Sequence, residues 1–183
     1  MTDPQRQILL DEQGVQRVLA RIAREVVEKV ADLDALVLMG IHRRGVHLAR
    51  WIATEIERAE NTQIATGSLD ITLYRDDLMA IGPRPVVGET RLPPGGIDGK
   101  IVVIVDDVLY TGRTVRAALD ELADFGRPRR ILLCVLIDRG GRELPIHADI
   151  IGNQYVVEGS DRVEVAVPEV DGRCNVELLK GGS

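Results

Sequence analysis

Apolar residues follow two patterns along this chain, and each pattern predicts a different kind of element. Continuous apolar runs occupy residues 101–105 and 131–137, and a shorter run occupies residues 35–39. Runs of this length without polar alternation are typical of strands buried on both faces, as in a parallel sheet. Elsewhere apolar residues recur every three or four positions, which is typical of helices with one buried face. The two patterns together predict an α/β fold with a doubly wound, mostly parallel central sheet.

Three amphipathic helices are predicted from the apolar spacing. The first extends from about Gly14 to Val30, the second follows the turn at 40–45, and the third follows Thr114 and ends near Gly126. The residues expected to face the core are Val15, Val18, Leu19, Ile22 and Val26 in the first helix, Leu48, Ala49, Ile52, Ala53 and Ile56 in the second, and Val115, Ala118, Leu119 and Leu122 in the third. A helix therefore follows each of two predicted strands, as in a doubly wound sheet.

Two further segments, 69–74 and 163–167, alternate apolar and polar residues, which predicts half-buried strands. Between about 74 and 97 the chain is rich in glycine and proline, which predicts a long loop. Long loops in compact domains are commonly functional, so we expect this segment to be a mobile loop beside the site. The sequence contains no internal repeat and no linker, so residues 1–183 are predicted to form one domain.

The composition fits a globular protein and limits the classes of partner. Hydrophobic residues make up 45% of the 183 residues and charged residues 28%, as expected for one domain with a sizeable core. The formal net charge of −6 disfavours a general nucleic-acid binder, so any RNA contact requires a local basic patch. The cysteines lack metal-site or disulfide spacing, and the sequence shows no signal peptide or membrane-spanning run. We therefore expect a cytoplasmic protein without a membrane partner.

The turn before the third helix carries the strongest chemical signal. Asp106 and Asp107 stand at the carboxyl end of a strand, where open α/β sheets bind ligands. Thr111 and Thr114 flank Gly112 at the start of the helix, where free N–H groups and two hydroxyls form an anion site. Paired carboxylates suit sugar hydroxyls or a divalent metal. These residues together predict a site for a sugar phosphate.

A second turn, after the strand at 35–39, contains two arginines. Its Gly-x-x-x-x-Gly spacing is that of a Walker A loop, but Val46 and His47 stand where that motif has Lys and Ser or Thr. The P-loop interpretation therefore fails. A tight turn at a strand end with Arg43 and Arg44 predicts a second anion site.

The run from Val105 to Thr114, Val-Asp-Asp-Val-Leu-Tyr-Thr-Gly-Arg-Thr, resembles the phosphoribosyl-pyrophosphate (PRPP) motif of type I phosphoribosyltransferases. Its Leu-Tyr-Thr-Gly-Arg-Thr part is similar to the PyrR family of pyrimidine-operon regulators and uracil phosphoribosyltransferases. Four other segments resemble the same family in the same order, namely residues 10–13, 40–45, 70–78 and 138–145. The resemblance therefore covers nearly the whole chain.

The resemblance implies that uracil and PRPP react to give UMP and pyrophosphate, with Mg²⁺ as cofactor and a small hood covering the base. It implies catalytic roles for Asp106, Asp107 and Arg44. The implied contacts to the 5′-phosphate and ribose are Asp106, Asp107, Val108, Leu109, Tyr110, Thr111, Gly112, Arg113 and Thr114. The implied contacts to pyrophosphate are Ile41, His42, Arg43, Arg44 and Arg75. The implied base and hood residues are Asp138, Arg139 and Gly140, and the metal candidates are Asp107 and Asp138, directly or through water.

Two of these roles have a simpler alternative. Arg75 could pair with its neighbour Asp76 or Asp77 in a plain surface hairpin. His42 could be a loop histidine that faces solvent. The sequence does not decide between these alternatives and the ligand contacts.

Tyr110 bears on the choice of base. Relatives that use hypoxanthine carry an acid immediately before the Thr-Gly pair, placed to contact a purine ring nitrogen, and Tyr110 stands at that position here. The resemblance therefore favours uracil over hypoxanthine.

Binding of pyrimidine-operon leader RNA is the second activity that the resemblance implies. Arg17, Arg21 and Arg24 share one face of the first helix, although a solvated helix face explains such a row equally well. Arg142 and His147 are the other RNA-binding candidates.

Three departures from the family pattern concern the RNA. Gly141 and His147 replace a His and an Arg that are usual there, and residues 153–158 replace a more basic stretch.

Three hypotheses follow from the sequence. The chain is a working uracil phosphoribosyltransferase, an attenuator whose RNA binding is promoted by UMP and opposed by PRPP, or a nucleotide-sensing regulator with weak or no turnover. The first two together are favoured, and an enzyme that has lost RNA binding is the alternative that the three departures raise. The family also implies a homodimer or a larger homo-oligomer.

Overall fold

The computed structural model describes residues 6–72 and 89–181 of the chain. In chain order the elements are β1 (Arg6–Leu10), α1 (Glu12–Lys29), β2 (Leu36–Ile41), α2 (Arg44–Glu60), β3 (Ala65–Leu69), β4 (Ile101–Leu109), α3 (Arg113–Phe125), β5 (Arg130–Asp138), β6 (Ile150–Gln154), β7 (Arg162–Ala166), α4 (Pro168–Asp171) and β8 (Asn175–Leu179). A short 3₁₀ helix, Leu33–Ala35, precedes β2.

Five strands form the central sheet in the order β3-β2-β4-β5-β6, and each neighbouring pair is parallel. Within β4, Val103 and Val105 pack in the core that α1 and α2 cover, whereas Val102 and Ile104 pack in the core that α3 covers. Because both faces are buried, the strand needs apolar side chains at successive positions. The predicted α/β fold with a doubly wound sheet is confirmed.

The first helix begins slightly earlier than its apolar spacing indicated. The Asp11 carboxylate accepts a hydrogen bond of 2.7 Å from the Gly14 N–H and so caps α1 at its N-terminus. The predicted core faces of α1 and α2 are confirmed, since every residue expected to point inward there is buried.

The predicted core face of α3 is wrong at one position. The side chain of Leu119 is 36% exposed, whereas Glu121 is buried at 8% exposure. The Thr90 hydroxyl donates a hydrogen bond of 2.5 Å to the Glu121 carboxylate. A donor from outside the helix therefore makes a buried acid tolerable, and apolar spacing alone carries no signal for it.

The strand predicted at 69–74 is wrong at residues 70–72, since the strand in this region, β3, comprises Ala65–Leu69. β3 ends at Leu69, because the Asp70 carboxylate accepts hydrogen bonds from the Thr72 N–H at 3.0 Å and the Thr72 hydroxyl at 2.5 Å, which turns the backbone. Residues 73 and 74 lie outside the described residues.

Of the loop predicted at 74–97, residues 74–88 also lie outside the described residues. The part from 89 onward packs against the sheet. Ser68 and Arg91 exchange two backbone hydrogen bonds of 2.9 Å, and Ile97 is 1% exposed. This end of the predicted loop is therefore anchored to β3 and to the core.

A second sheet joins both ends of the described chain in the antiparallel order β1-β8-β7. The predicted strand at 163–167 is confirmed by β7, whose Val163 and Val165 share the core of α1 with Val176 of β8. β1 and β8 were not predicted, since neither carries a long apolar run. No helix in the described part of the chain is both long and apolar enough to span a bilayer.

Candidate active site

The carboxyl ends of β2, β4 and β5 meet at one edge of the parallel sheet. Gly40 of β2 pairs with Val105 of β4, and Leu109 of β4 pairs with Asp138 of β5. The turns that follow these strands carry the residues predicted to contact pyrophosphate, phosphate and base. The fold therefore brings three predicted segments, separated by dozens of residues in sequence, to one edge.

Asp106 and Asp107 lie within β4 rather than after it, since the strand continues to Leu109. The Asp106 side chain is 5% exposed, and its carboxylate accepts the Asp107 N–H at 2.9 Å. The Asp107 carboxylate in turn accepts the Val108 N–H at 2.8 Å and lies at intermediate exposure. Backbone amides therefore orient both acids, and Asp107 is the more accessible of the two.

The turn after β4 is held by the turn after β5. Gly112 stands at the N-cap of α3 with φ +94°, and a Cβ there would lie 3.3 Å from the Cβ atoms of Leu144 and Ile146. The Thr111 carbonyl accepts hydrogen bonds from the N–H groups of Glu143 and Leu144 at 3.0 and 3.1 Å. The N-cap glycine supplies no capping side chain, and among the described residues the Thr111 hydroxyl accepts only the Arg113 N–H, at 3.3 Å. The later first-turn N–H groups of α3 are therefore suited to an anion.

The turn between β2 and α2 is packed tightly against β4. A Cβ on Gly45 would overlap the Val105 carbonyl oxygen and lie 3.4 Å from the Asp106 Cα. The peptide bond between His42 and Arg43 is cis, and both side chains are exposed. The start of α2 is therefore adjacent to the paired acids of β4.

Arg44, the first residue of α2, is held by Asp171 at the end of α4. Its Nε donates to Oδ2 of Asp171 at 3.1 Å, and its Nη2 donates to Oδ1 at 2.8 Å. These hydrogen bonds raise the pKa of the Arg44 guanidinium, although burial opposes the rise. They also hold the pKa of the Asp171 carboxyl below its ordinary value. Sequence reasoning missed Asp171, because no motif marks a partner 127 positions away.

Arg142 joins the turn after β5 to the turn after β4. Its Nη2 donates to the two carboxylate oxygens of Asp138 at 2.9 and 2.7 Å, and its Nη1 donates to the Tyr110 carbonyl at 2.7 Å. The Gly140 N–H donates to the same Asp138 carboxylate at 3.0 Å. The Asp138 carboxylate is therefore already engaged by protein donors.

The Tyr110 ring lies against two residues of the turn after β5, Arg139 and Gly141. The Arg139 guanidinium carbon is 3.8 Å from the centroid of the Tyr110 ring, and the Arg139 side chain is 7% exposed. Its Nε has no hydrogen-bond partner among the described residues. A Cβ on Gly141 would also overlap the ring, lying 2.9 Å from Cδ2. The Tyr110 ring and the stacked Arg139 guanidinium thus form one wall of the site at the carboxyl ends of the strands.

Comparison with known proteins identifies the family. The phosphoribosyl transferase domain family matches residues 5–171. A protein from Thermus thermophilus named bifunctional protein PyrR is 55% identical over 170 residues, which cover 93% of each chain. The chain belongs to the PyrR family of phosphoribosyltransferases. Bifunctional PyrR proteins from Chloroflexus aurantiacus and Streptomyces coelicolor are 54% identical over 175 residues (96% of each chain) and 50% identical over 170 residues (93% of this chain and 88% of that one).

Solved structures show the same fold in more distant proteins. A hypoxanthine phosphoribosyltransferase from Trypanosoma cruzi has a TM-score of 0.70 at 16% identity and covers 96% of this chain and 97% of its own. One from Staphylococcus aureus has a TM-score of 0.68 at 19% identity and covers 97% of this chain and 94% of its own. At these identities the similarity shows the type I phosphoribosyltransferase fold. The predicted PyrR family membership rests on the closer relatives and is confirmed.

The residues predicted to contact RNA in this PyrR-family chain lie in two places. Arg17, Arg21 and Arg24 are exposed on α1, and the Arg21 guanidinium donates to carbonyl groups of β6, those of Ile151 and Gly152. Arg24 lines a groove of about 430 Å³ between α1 and α2. His147 is exposed in the turn after β5. Arg142 bonds instead to Asp138 and to the Tyr110 carbonyl at the carboxyl ends of the strands. Arg75, which was predicted to contact pyrophosphate rather than RNA, lies outside the described residues.

Proposed function

We propose that this PyrR-family protein transfers the phosphoribosyl group of PRPP to uracil, giving UMP and pyrophosphate. We also propose that it regulates pyrimidine genes through UMP-dependent binding to leader mRNA. The observation that carries the enzymatic proposal is the placement of Asp106 and Asp107 on β4 directly before the amide-rich start of α3. One continuous segment therefore carries hydrogen-bond acceptors for the hydroxyls of a diol and hydrogen-bond donors for a phosphate.

The segment matches the chemistry of a ribose 5-phosphate. First-turn N–H groups of α3, with the Thr111 and Thr114 hydroxyls, are suited to the 5′-phosphate. The Asp106 and Asp107 carboxylates are suited to the ribose hydroxyls, which donate hydrogen bonds to them. As the bond from the anomeric carbon to pyrophosphate breaks, positive charge develops on the sugar, and two fixed carboxylates stabilise that charge.

The turn between β2 and α2 is suited to the pyrophosphate group. His42 and Arg43 are exposed in this turn, and the Arg44 guanidinium is close enough to Asp107 to interact with its charge. The backbone N–H groups at the start of α2 add further donors. We place Ile41 to Arg44 in this role, with Arg75 as a further candidate outside the described residues.

The donor set fits Mg²⁺ bound together with the substrate. Among the described residues no cluster of three or more His, Cys, Asp or Glu side chains could enclose an ion. Mg²⁺ in phosphate-transfer sites is held by one or two carboxylates and by substrate oxygens, so Asp107 with PRPP oxygens is sufficient. The bound ion would neutralise charge on the departing pyrophosphate. Asp138, already bonded to Arg142, would reach it only through water.

The choice of uracil rests on the wall formed by Tyr110 and Arg139. The base has to extend from the ribose beside Asp107 toward the turn after β5, where Tyr110, Arg139 and Gly140 lie. A phenol ring at this point replaces the acid that serves a purine ring nitrogen in hypoxanthine enzymes. The site therefore favours a smaller pyrimidine ring.

Uracil-dependent release of pyrophosphate from PRPP tests the enzymatic proposal. The wild-type protein should form UMP in the presence of Mg²⁺, and Asp107→Asn should lower kcat/KM by roughly a hundredfold or more, as when a charge-stabilising group is removed. The absence of UMP formation by folded wild-type protein would refute the proposal. Binding of PRPP without turnover would favour the alternative of a nucleotide-sensing regulator.

RNA binding needs a test of its own, because the chain carries a net charge of −6. Exposed Arg17 and Arg24 are the α1 candidates, since the Arg21 guanidinium already bonds to β6. A leader-RNA mobility shift that strengthens with UMP and weakens with salt is expected. The double variant Arg17→Ala, Arg24→Ala should weaken the shift without changing UMP synthesis. No shift in the presence of UMP would identify an enzyme that has lost RNA binding.

A further inference from the structure

The Arg44–Asp171 ion pair connects the turn after β2 to the C-terminal part of the chain. Its two hydrogen bonds, of 3.1 and 2.8 Å, use both oxygens of the carboxylate. Such a two-point contact fixes the plane of the guanidinium as well as its distance. We infer that Asp171 is a positioning residue, which orients the Arg44 guanidinium toward the pyrophosphate group of PRPP. This inference rests on the proposed phosphoribosyl transfer.

The carboxylate of Asp171 is itself fixed. Its Oδ2 also accepts the Val167 N–H at 2.9 Å, so the side chain bonds back to the N-cap residue of the short helix α4. Pro168 begins that helix and Gly172, at φ +67°, ends it. The Asp171 side chain is 19% exposed. Asp171 therefore has little freedom to follow a moving guanidinium, and Arg44 is held by a rigid acceptor.

The backbone of Arg44 is fixed as well. The next residue, Gly45, packs against the Val105 carbonyl oxygen and near the Asp106 Cα. Both ends of the Arg44 side chain are thus set relative to the acids of β4. A guanidinium held at both ends loses less rotational freedom when an anion binds, which lowers the cost of binding.

Donors remain on Arg44 after this pairing. A guanidinium carries five N–H groups, and Asp171 takes two of them, one on Nε and one on Nη2. The Arg44 side chain is 37% exposed, so part of it remains open to a ligand. Because the ion pair has no net charge, Asp171 contributes orientation rather than attraction for the anion.

A purely structural role for Asp171 would affect folding and leave the affinity for pyrophosphate unchanged. The variant Asp171→Asn separates the two roles, since an amide oxygen can still accept the Val167 N–H while the charge that holds Arg44 is lost. Glu169→Gln is the matched control: it removes one negative charge from an exposed position of the same helix.

The experiment measures kcat and KM for PRPP and for uracil, and the affinity for inorganic pyrophosphate with Mg²⁺. For Asp171→Asn we expect the PRPP KM and the pyrophosphate Kd to rise roughly three- to tenfold, the range for one partly exposed charged contact. The uracil KM should stay the same, and Glu169→Gln should behave as wild type. In an Arg44→Lys background, Asp171→Asn should have little further effect, because lysine lacks the planar fork.

Two results would overturn the inference. Unchanged PRPP KM and pyrophosphate Kd in folded Asp171→Asn would assign Asp171 a structural role alone. Tighter pyrophosphate binding would show that Asp171 competes with the ligand for Arg44. If Asp171→Asn fails to fold, Asp171→Glu carries the same test, since its longer side chain keeps the charge and displaces the guanidinium. Wild-type protein that forms no UMP would refute the proposed function instead, before any variant is compared.

Discussion

The Arg139 guanidinium stacks on the Tyr110 ring at 3.8 Å, and this contact joins the turn after β4 to the turn after β5. Arg139 is almost fully buried, whereas Tyr110 is 44% exposed, so the guanidinium side of the contact is desolvated and the ring keeps access to solvent and to a ligand. The ring thus has a structural partner in Arg139 and remains partly exposed beside the proposed base site. The pair couples the residues that would contact the ribose to those that would contact the base.

Removal of the Tyr110 ring should therefore weaken uracil binding. We expect Tyr110→Ala to raise the uracil KM by about fivefold or more, corresponding to about 1 kcal/mol for a stacked, partly desolvated cation–π pair. Tyr110→Phe keeps the ring and should stay close to wild type. Steady-state kinetics at saturating PRPP measure both, and equal uracil KM values for the two variants would argue against a role for the ring.

Gly141 offers a separate test of the same wall. A Cβ at this position would overlap the Tyr110 ring, and the backbone has φ +76°. Gly141→Ala should cost about 1 kcal/mol for the backbone alone, and more for displacement of the ring. Gly159→Ala is the matched control, because Gly159 has φ +64° and no atom within 4 Å of the added Cβ.

Denaturant unfolding and uracil kinetics together distinguish the two glycines. Gly159→Ala should lose stability through the backbone alone and keep the wild-type uracil KM. Gly141→Ala should lose about 1 kcal/mol more and raise that KM. Equal losses in the two variants, with unchanged kinetics, would show that Tyr110 moves aside without consequence.

Acid should remove the contribution of the Arg44–Asp171 pair to stability. The pKa of Asp171 is lowered in the folded protein by the hydrogen bonds from Arg44, so the ionised carboxyl favours the folded state. This contribution is fully present above the ordinary pKa of an aspartate carboxyl in the unfolded chain and is lost as the pH falls through the lower folded pKa. Arg44 stays protonated throughout.

The measurement compares Tm for wild type and Asp171→Asn across this range. The Tm of wild type should exceed that of the variant at neutral pH, and the difference should shrink as the pH falls below about 4. A difference that stays constant down to pH of about 2 would show that the charge of Asp171 does not contribute to folding.

The central sheet and the turn before α3 could be predicted from sequence because their signals are local. The apolar run before Asp106 is needed because that strand is buried on both faces. Gly112 is needed because its own backbone has a φ of +94°. The buried faces of the helices could be predicted for the same reason. The exception is in α3, where Glu121 is buried and its carboxylate accepts a hydrogen bond from the Thr90 hydroxyl.

The contacts that sequence reasoning missed are those that join distant segments. Asp171 meets Arg44 across 127 positions, and nothing near either residue indicates the pairing. Arg142 was predicted as an RNA contact from family resemblance, whereas its guanidinium bonds to Asp138 and to the Tyr110 carbonyl. Such partners are set by how the turns approach each other, which a local pattern does not report.

The last prediction concerns Arg142, whose guanidinium bonds to Asp138 and to the Tyr110 carbonyl at the carboxyl ends of the strands. The Asp138 side chain is 6% exposed and that of Arg142 is 23% exposed, so removing Arg142 would leave a buried carboxylate without its cationic partner. We expect Arg142→Ala to destabilise the fold by about 2 to 4 kcal/mol. Arg129→Ala breaks an ion pair of similar length, 2.9 Å, whose two side chains are both 51% exposed, and should cost less than about 1 kcal/mol. Denaturant unfolding of the two variants decides the matter, since equal small losses would mean that water replaces Arg142 at Asp138.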